Sequence, residues 1–99
     1  MEISELTMKM DAFVRAKGWY QANSHRPQIP RNLAISLSLE AGEVLEHFQW
    51  DGNVKDKIEL GEELADVALY LLQLAFIAEI DLEQAILNKL GTNATRTWD

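Results

Sequence analysis

Apolar residues recur along this chain at intervals of three and four and almost nowhere alternate, so the pattern predicts helices rather than a sheet. Ile3, Leu6, Met10 and Phe13 make a first amphipathic stripe. It should stop near Lys17-Gly18, because glycine suits the left-handed position just past a helix end. From Trp19 to Pro30 the periodicity is interrupted by Asn23, Ser24, Pro27 and Pro30, which predicts a long loop of the kind that often carries function. Pro30 is placed to open a second helix, whose stripe of Leu33, Leu37, Ala41, Val44 and Phe48 runs to about Gln49 before the turn Asp51-Gly52-Asn53.

The third periodic segment, about Val54 to Ala78, is the longest and most apolar. At roughly 100° per residue, Leu60, Leu64, Val67, Ala68, Leu71, Leu72, Leu74 and Ala75 spread over more than half of the helix circumference. A helix so coated should be central. Its narrow polar arc carries Glu59, Glu62, Glu63, Asp66, Tyr70 and Gln73. Asp81 and Gln84 have capping-box spacing for a short fourth helix through Leu90, with Gly91 ending it and a polar, aperiodic tail over residues 92–99. The expected architecture is therefore all-α, with four helices in one domain spanning residues 1–99.

Composition narrows the class. A chain of 99 residues buries only about 60–65% of its unfolded surface. It has no cysteine for a disulfide or a thiolate metal site, and its histidines, His25 and His47, are far apart in sequence. Self-association is the remaining route to a larger core. The N-terminal residues lack the basic and apolar regions of a signal peptide, and no apolar run approaches the ~20 residues of a membrane span, which predicts a soluble, cytoplasmic protein. The net charge of −7, with no run of Lys or Arg, argues against nucleic acid as a partner. An anionic ligand would need a bridging cation.

The acids offer that cation a place. Glu40 and Glu43 lie three apart on the second helix, and Glu63 and Asp66 three apart on the third, so each pair stacks on one face. Opposed across a bundle, the pairs would direct four carboxylates at one point. All-oxygen ligands of this kind suit Mg²⁺ or Mn²⁺. Solvated helix faces would give the same letters, but Ile35 and Leu39 flank the second-helix acids with further apolar positions, and the acidic arc is the only polar arc on the third. A di-iron carboxylate bundle needs Glu-x-x-His on two helices, and that spacing does not occur. His47, four after Glu43, reads as a surface or interface residue rather than a ligand.

Glu40-Ala41-Gly42-Glu43 followed by Glu63-Leu64-Ala65-Asp66 resembles the Glu-x-x-Glu, spacer, Glu-x-x-Asp pattern of the MazG-like all-α nucleotide pyrophosphohydrolases. Pro30-Arg31-Asn32-Leu33, Phe48-Gln49-Trp50, Asp66 to Tyr70 and Lys89 to Asn93 are similar to stretches of the dCTP pyrophosphatase branch, so the resemblance covers the chain from about Trp19 to Arg96. It implies a four-helix bundle assembled as a dimer or a dimer of dimers. It also implies hydrolysis of a (deoxy)nucleoside triphosphate, with dCTP or a related dNTP favoured, to the monophosphate and pyrophosphate.

Under that resemblance Glu40, Glu43, Glu63 and Asp66 hold Mg²⁺, with Mn²⁺ an alternative, and Glu40 or Glu43 serves as general base. Trp19, Trp50 and Tyr70 stack on the nucleobase, while Lys89, Asn93 and Arg96 meet phosphate and sugar. Arg31 and Asn32 open the second helix, where a helix N-terminus favours an anion. Gln28 stands where the branch commonly has a histidine, which leaves the preferred base open. Phosphoribosyl-ATP hydrolysis on a related scaffold and a non-enzymatic helical interaction module are the competing readings.

Overall fold

In the computed structural model, which describes residues 1–98, helix α1 (Ile3–Ala16), α2 (Pro30–His47), α3 (Lys57–Ile77) and α4 (Leu82–Thr95) follow in order, and no strand occurs among the described residues. Each boundary has a local cause. Helix α1 is closed by Gly18 in the left-handed region at φ 72°. Pro30 occupies the first turn of α2, where its missing N–H costs nothing. The preceding loop is tied to that turn by the Asn32 side-chain amide, which donates to the Pro27 carbonyl at 3.0 Å.

Two boundaries differ from expectation. Helix α3 begins at Lys57 rather than Val54, because Asp56 is its N-cap and accepts from the backbone N–H groups of Ile58 at 3.0 Å and Glu59 at 3.1 Å. Asp81 caps α4 as its spacing implied, accepting from the Gln84 N–H at 3.1 Å. Gly91, however, does not end α4, which runs through it to Thr95. A glycine inside a helix costs only about 0.5–1 kcal/mol relative to alanine, so continued backbone pairing outweighs it. The polar tail is thus helical over 92–95, and Asp99 lies outside the described residues.

Helices α2 and α3 make the most extensive pairing, and α1 packs across α3. They are antiparallel: Glu40 is opposite Asp66, and His47, later on α2, is opposite Glu63, earlier on α3. Helix α4 leans on α1 and is otherwise open. The apolar side chains fully enclosed by the chain are few, namely Met10, Val14, Leu33 and Ala75. Leu39, Leu45, Leu64 and Ile58 are among many left exposed, Ile58 at 78%. The radius of gyration of 15.9 Å exceeds the ~13 Å of a compact chain this long. The apolar coat of α3 is thus only partly covered by its own chain. No helix among the described residues is long and apolar enough to cross a membrane.

Candidate active site

The seam between α2 and α3 is polar and acidic. Helical spacing sets Glu40, Glu43 and His47 along one face of α2, and Glu59, Glu63 and Asp66 along the facing side of α3. At one end, Glu40 meets Glu43 and Asp66. Its carboxyl is held above the usual carboxylate range, first by burial and then by repulsion from Glu43 and Asp66. One of its oxygens, Oε2, is covered and has no hydrogen-bond partner. Acidic oxygens crowded together and left unpaired are strained unless a cation or proton joins them.

Glu40 thus feels the charges of Glu43 and Asp66, while Glu63 is engaged one turn along the seam; among the described residues it is His47, Glu59 and Glu63 that bring three donor atoms within 4.8 Å of one another. Glu63 Oε2 lies 3.7 Å from Nδ1 of His47 and is itself covered without a hydrogen bond. His47 is not a surface residue: its side chain is only 2% exposed, in the α2–α3 seam and edge-on to the Phe48 ring at 4.9 Å. The expectation of a surface or interface position fails because Glu43 and His47, four apart, share the face that α3 covers.

Asp66 also reaches the rim of a cavity of about 260 Å³ between α1 and α3. Met10, Val14 and Leu69 line it with aliphatic groups, and Phe13, Trp19 and Tyr70 with aromatic ones. Trp19 meets Phe13 edge to face, with ring centroids 5.7 Å apart and planes at 87°. Such a slot accepts a flat ring, and the carboxylate at its rim puts the acidic cluster within reach of whatever that ring carries.

Polar groups fix the slot from behind. Gln73, buried on α3, donates through Nε2 to Oε1 of Gln28 at 2.6 Å, locking the loop before α2 onto α3. Asp11 lies on the buried face of α1, and Arg15 Nε, one turn on, donates to its Oδ2 at 2.8 Å. Burial in the same region raises the Tyr20 phenol above its ordinary value. On its other side, Tyr70 borders a polar hollow of about 350 Å³ shared with His25, Gln28 and Asn32.

The remaining expected residues stand apart. Trp50, 85% exposed after the end of α2, lines neither cavity, and neither does the exposed Arg31. Lys89 is exposed on α4. Trp98 Nε1 donates to the Asn93 carbonyl at 3.2 Å, and Arg96 stacks over the Trp98 ring at 4.3 Å, so the tail folds back on its own helix. Within one chain α4 contributes to neither cavity.

Sequence reasoning set His47 aside as a surface or interface residue and passed over Asp11 and the Gln28–Gln73 bond. The spacings Glu43 to His47 and Glu59 to Glu63 on antiparallel helices were a usable signal for the first. Asp11 and Gln73 carry no local signal, because their burial depends on how α1 crosses α3.

Residues 35–98, which include α2 from its second turn onward and all of α3 and α4, match the MazG-like family. The chain is 37% identical over 93 residues to dCTP pyrophosphatase 1 of Mus musculus, covering 85% of this chain and 52% of that protein. The Homo sapiens dCTP pyrophosphatase 1 is likewise 37% identical over 93 residues, and that of Bos taurus 36%, each with the same coverage. The chain thus spans about half the length of the curated relatives it matches. With the family match extending over most of its length and over the whole acidic seam, the chain belongs to the MazG-like family.

Proposed function

We propose that this chain is a Mg²⁺-dependent pyrophosphohydrolase that cleaves dCTP, or a closely related deoxynucleoside triphosphate, to the monophosphate and pyrophosphate. The observation that carries this reading is Asp66, which belongs at once to the acidic cluster with Glu40 and to the rim of the aromatic slot. A nucleobase between Trp19 and Tyr70 would extend its phosphates toward Glu40, Glu43 and Asp66. That the three relatives are named for dCTP favours this base.

The residues fit a hard divalent ion: the donors are carboxylate oxygens, and Glu40 Oε2 is covered without a partner. Glu40, Glu43, Glu63 and Asp66 would hold it, Glu63 through Oε1, since its Oε2 faces His47 Nδ1. A bound Mg²⁺ supplies charge neutralisation for the triphosphate and acidifies water. Glu40 or Glu43 takes the proton from the water that attacks the α-phosphorus. Trp19 and Tyr70 orient the base, and Gln28, held by Gln73, stiffens the loop beside it.

Trp50, Arg31, Lys89, Asn93 and Arg96 are assigned to substrate by likeness to the branch. The aromatic and cationic groups at positions 50, 89 and 96 can join the site when a second copy supplies them or when α4 closes. Exposed Leu39, Leu45, Ile58 and Leu64 support self-association into a dimer or a dimer of dimers, as the single domain of residues 1–99 leaves them uncovered.

The test is to incubate the protein with Mg²⁺ and a panel of dNTPs, NTPs and phosphoribosyl-ATP, assaying pyrophosphate and monophosphate. Turnover concentrated on dCTP or a modified pyrimidine dNTP is expected. Turnover only of phosphoribosyl-ATP, or no pyrophosphate from any nucleotide with folded protein, overturns the reading.

A further inference from the structure

At the end of the α2–α3 seam away from Glu40, three side chains of different chemistry come together. His47, Glu59 and Glu63 each offer a donor atom, and the three atoms lie within 4.8 Å of one another. The His47 side chain is 2% exposed and makes no hydrogen bond among the described residues. Its Nδ1 is 3.7 Å from Glu63 Oε2, beyond the ~3.2 Å limit of a good N–H···O bond, and its Nε2 is covered without a partner. An imidazole desolvated so completely and left unpaired is costly, as is the covered, unpaired Glu63 oxygen that faces it.

We propose that His47, Glu59 and Glu63 form a cation site distinct from the carboxylate cluster, taking a transition metal such as Zn²⁺ or Co²⁺ in preference to Mg²⁺. Donors at ~2.1 Å from a tetrahedral ion are ~3.4 Å apart, so the 3.7 Å His47–Glu63 separation needs only a small side-chain rotation to close on a metal. The imidazole nitrogen sets the preference, because nitrogen ligands suit Zn²⁺ and Co²⁺ while Mg²⁺ keeps to oxygen. Glu59 is exposed, so it opens the site to solvent and leaves room for water as a further ligand. The site shares Glu63 with the Mg²⁺ set proposed above, but it requires no hydrolytic activity, and its test reads metal binding directly.

The experiment is a Co²⁺ titration of the full chain in saturating Mg²⁺, followed by visible absorption and calorimetry, for the wild type, Glu59→Gln, His47→Gln and His25→Gln. The expected result is one Co²⁺ per chain with the absorption of a nitrogen-containing site. Glu59→Gln and His47→Gln should each weaken binding by at least about tenfold, and His25→Gln, which removes the other imidazole, should bind as the wild type does. Glu59 is an exposed helix position, so its variant stays informative if His47→Gln does not fold. The melting shift of Glu59→Gln with Mg²⁺ alone should match the wild type. Co²⁺ binding to Glu59→Gln at wild-type affinity overturns the proposal, as does the absence of Co²⁺ binding beyond the sites that Mg²⁺ fills. Either outcome leaves pyrophosphate release by the wild type as a separate reading.

Discussion

The α2–α3 pair and helix α4 sit in one short chain yet are organised in opposite ways. Between α2 and α3, charged groups are brought into a seam and partly stripped of water, to the point that Glu40 resists ionisation and His47 is almost fully covered. On α4, Lys89 and Arg96 stay in solvent, and no residue of the helix is buried. Burial of charge without pairing is expensive, so a chain retains it where the strain serves a ligand. Exposure costs nothing and commits α4 to nothing. Under the proposed function the seam forms without substrate, and α4 is left open to substrate or to a neighbouring subunit.

The largest expected effect comes from breaking the organised region. Asp66→Asn keeps the shape of the side chain but removes the charge that joins the acids to the slot, and kcat/KM for dCTP should fall by more than ~10²-fold. Steady-state pyrophosphate release checks it, and near-normal turnover would remove Asp66 from the site.

Next come the slot walls. Trp19→Ala or Tyr70→Ala should raise KM with a smaller change in kcat, by the equivalent of about 1–3 kcal/mol if base stacking on nucleic-acid modules is a guide. Trp50→Ala sharpens the contrast between regions. With 85% of its surface free in one chain, it should matter only in the assembled protein. A KM effect of Trp50→Ala that vanishes under dissociating conditions would show that a second copy supplies it, and an effect in a proven monomer would contradict that.

On α4, Lys89→Ala and Arg96→Ala should each cost less, about 1 kcal/mol or below, and the loss should shrink as salt rises, because exposed charges are screened. Salt-independent losses as large as those of Asp66→Asn would mean that α4 is part of the preformed site.

The smallest effect is on stability. The folded state holds the Glu40 proton more tightly than the unfolded chain does, so ionising Glu40 opposes folding. Below the ordinary Glu range both states are protonated and Glu40 contributes nothing. As pH rises from there through its raised value, metal-free protein should lose stability. Glu40→Gln should remove this loss and raise the melting temperature in chelator at pH 7 by a few degrees, since partial exposure screens the repulsion. Melting curves from pH 4 to 7 in chelator test the sign, and a wild type that gains stability through that window while Glu40→Gln does not would reverse it.

The sequence made the helices legible wherever the signal is local. Pro30 opens α2, Gly18 closes α1 and Asp81 caps α4, all through backbone chemistry of near neighbours. Local signals also misled: Gly91 suggested a helix end where the helix continues, and Asp56 was absorbed into α3 although it caps it. The two acid pairs were legible from their three-residue spacing, and the influence of Asp66 on Glu40 follows once α2 faces α3. His47 and Glu59 required the antiparallel register as well. Asp11, Gln28 and Gln73 depend on the crossing of α1 over α3, which no spacing encodes.

The central claim is that the crowded acids are a divalent-metal centre, and the Mg²⁺-induced shift in melting temperature tests it most directly. At 100 times the dissociation constant, a ligand that binds only the folded chain adds about 2.7 kcal/mol, or roughly 10 °C or more for a domain of this size. Such a shift is expected for the wild type and little or none for Asp66→Asn or Glu43→Gln, whose melting temperatures in chelator should equal or exceed that of the wild type. Equal Mg²⁺ shifts in wild type and both variants would contradict it.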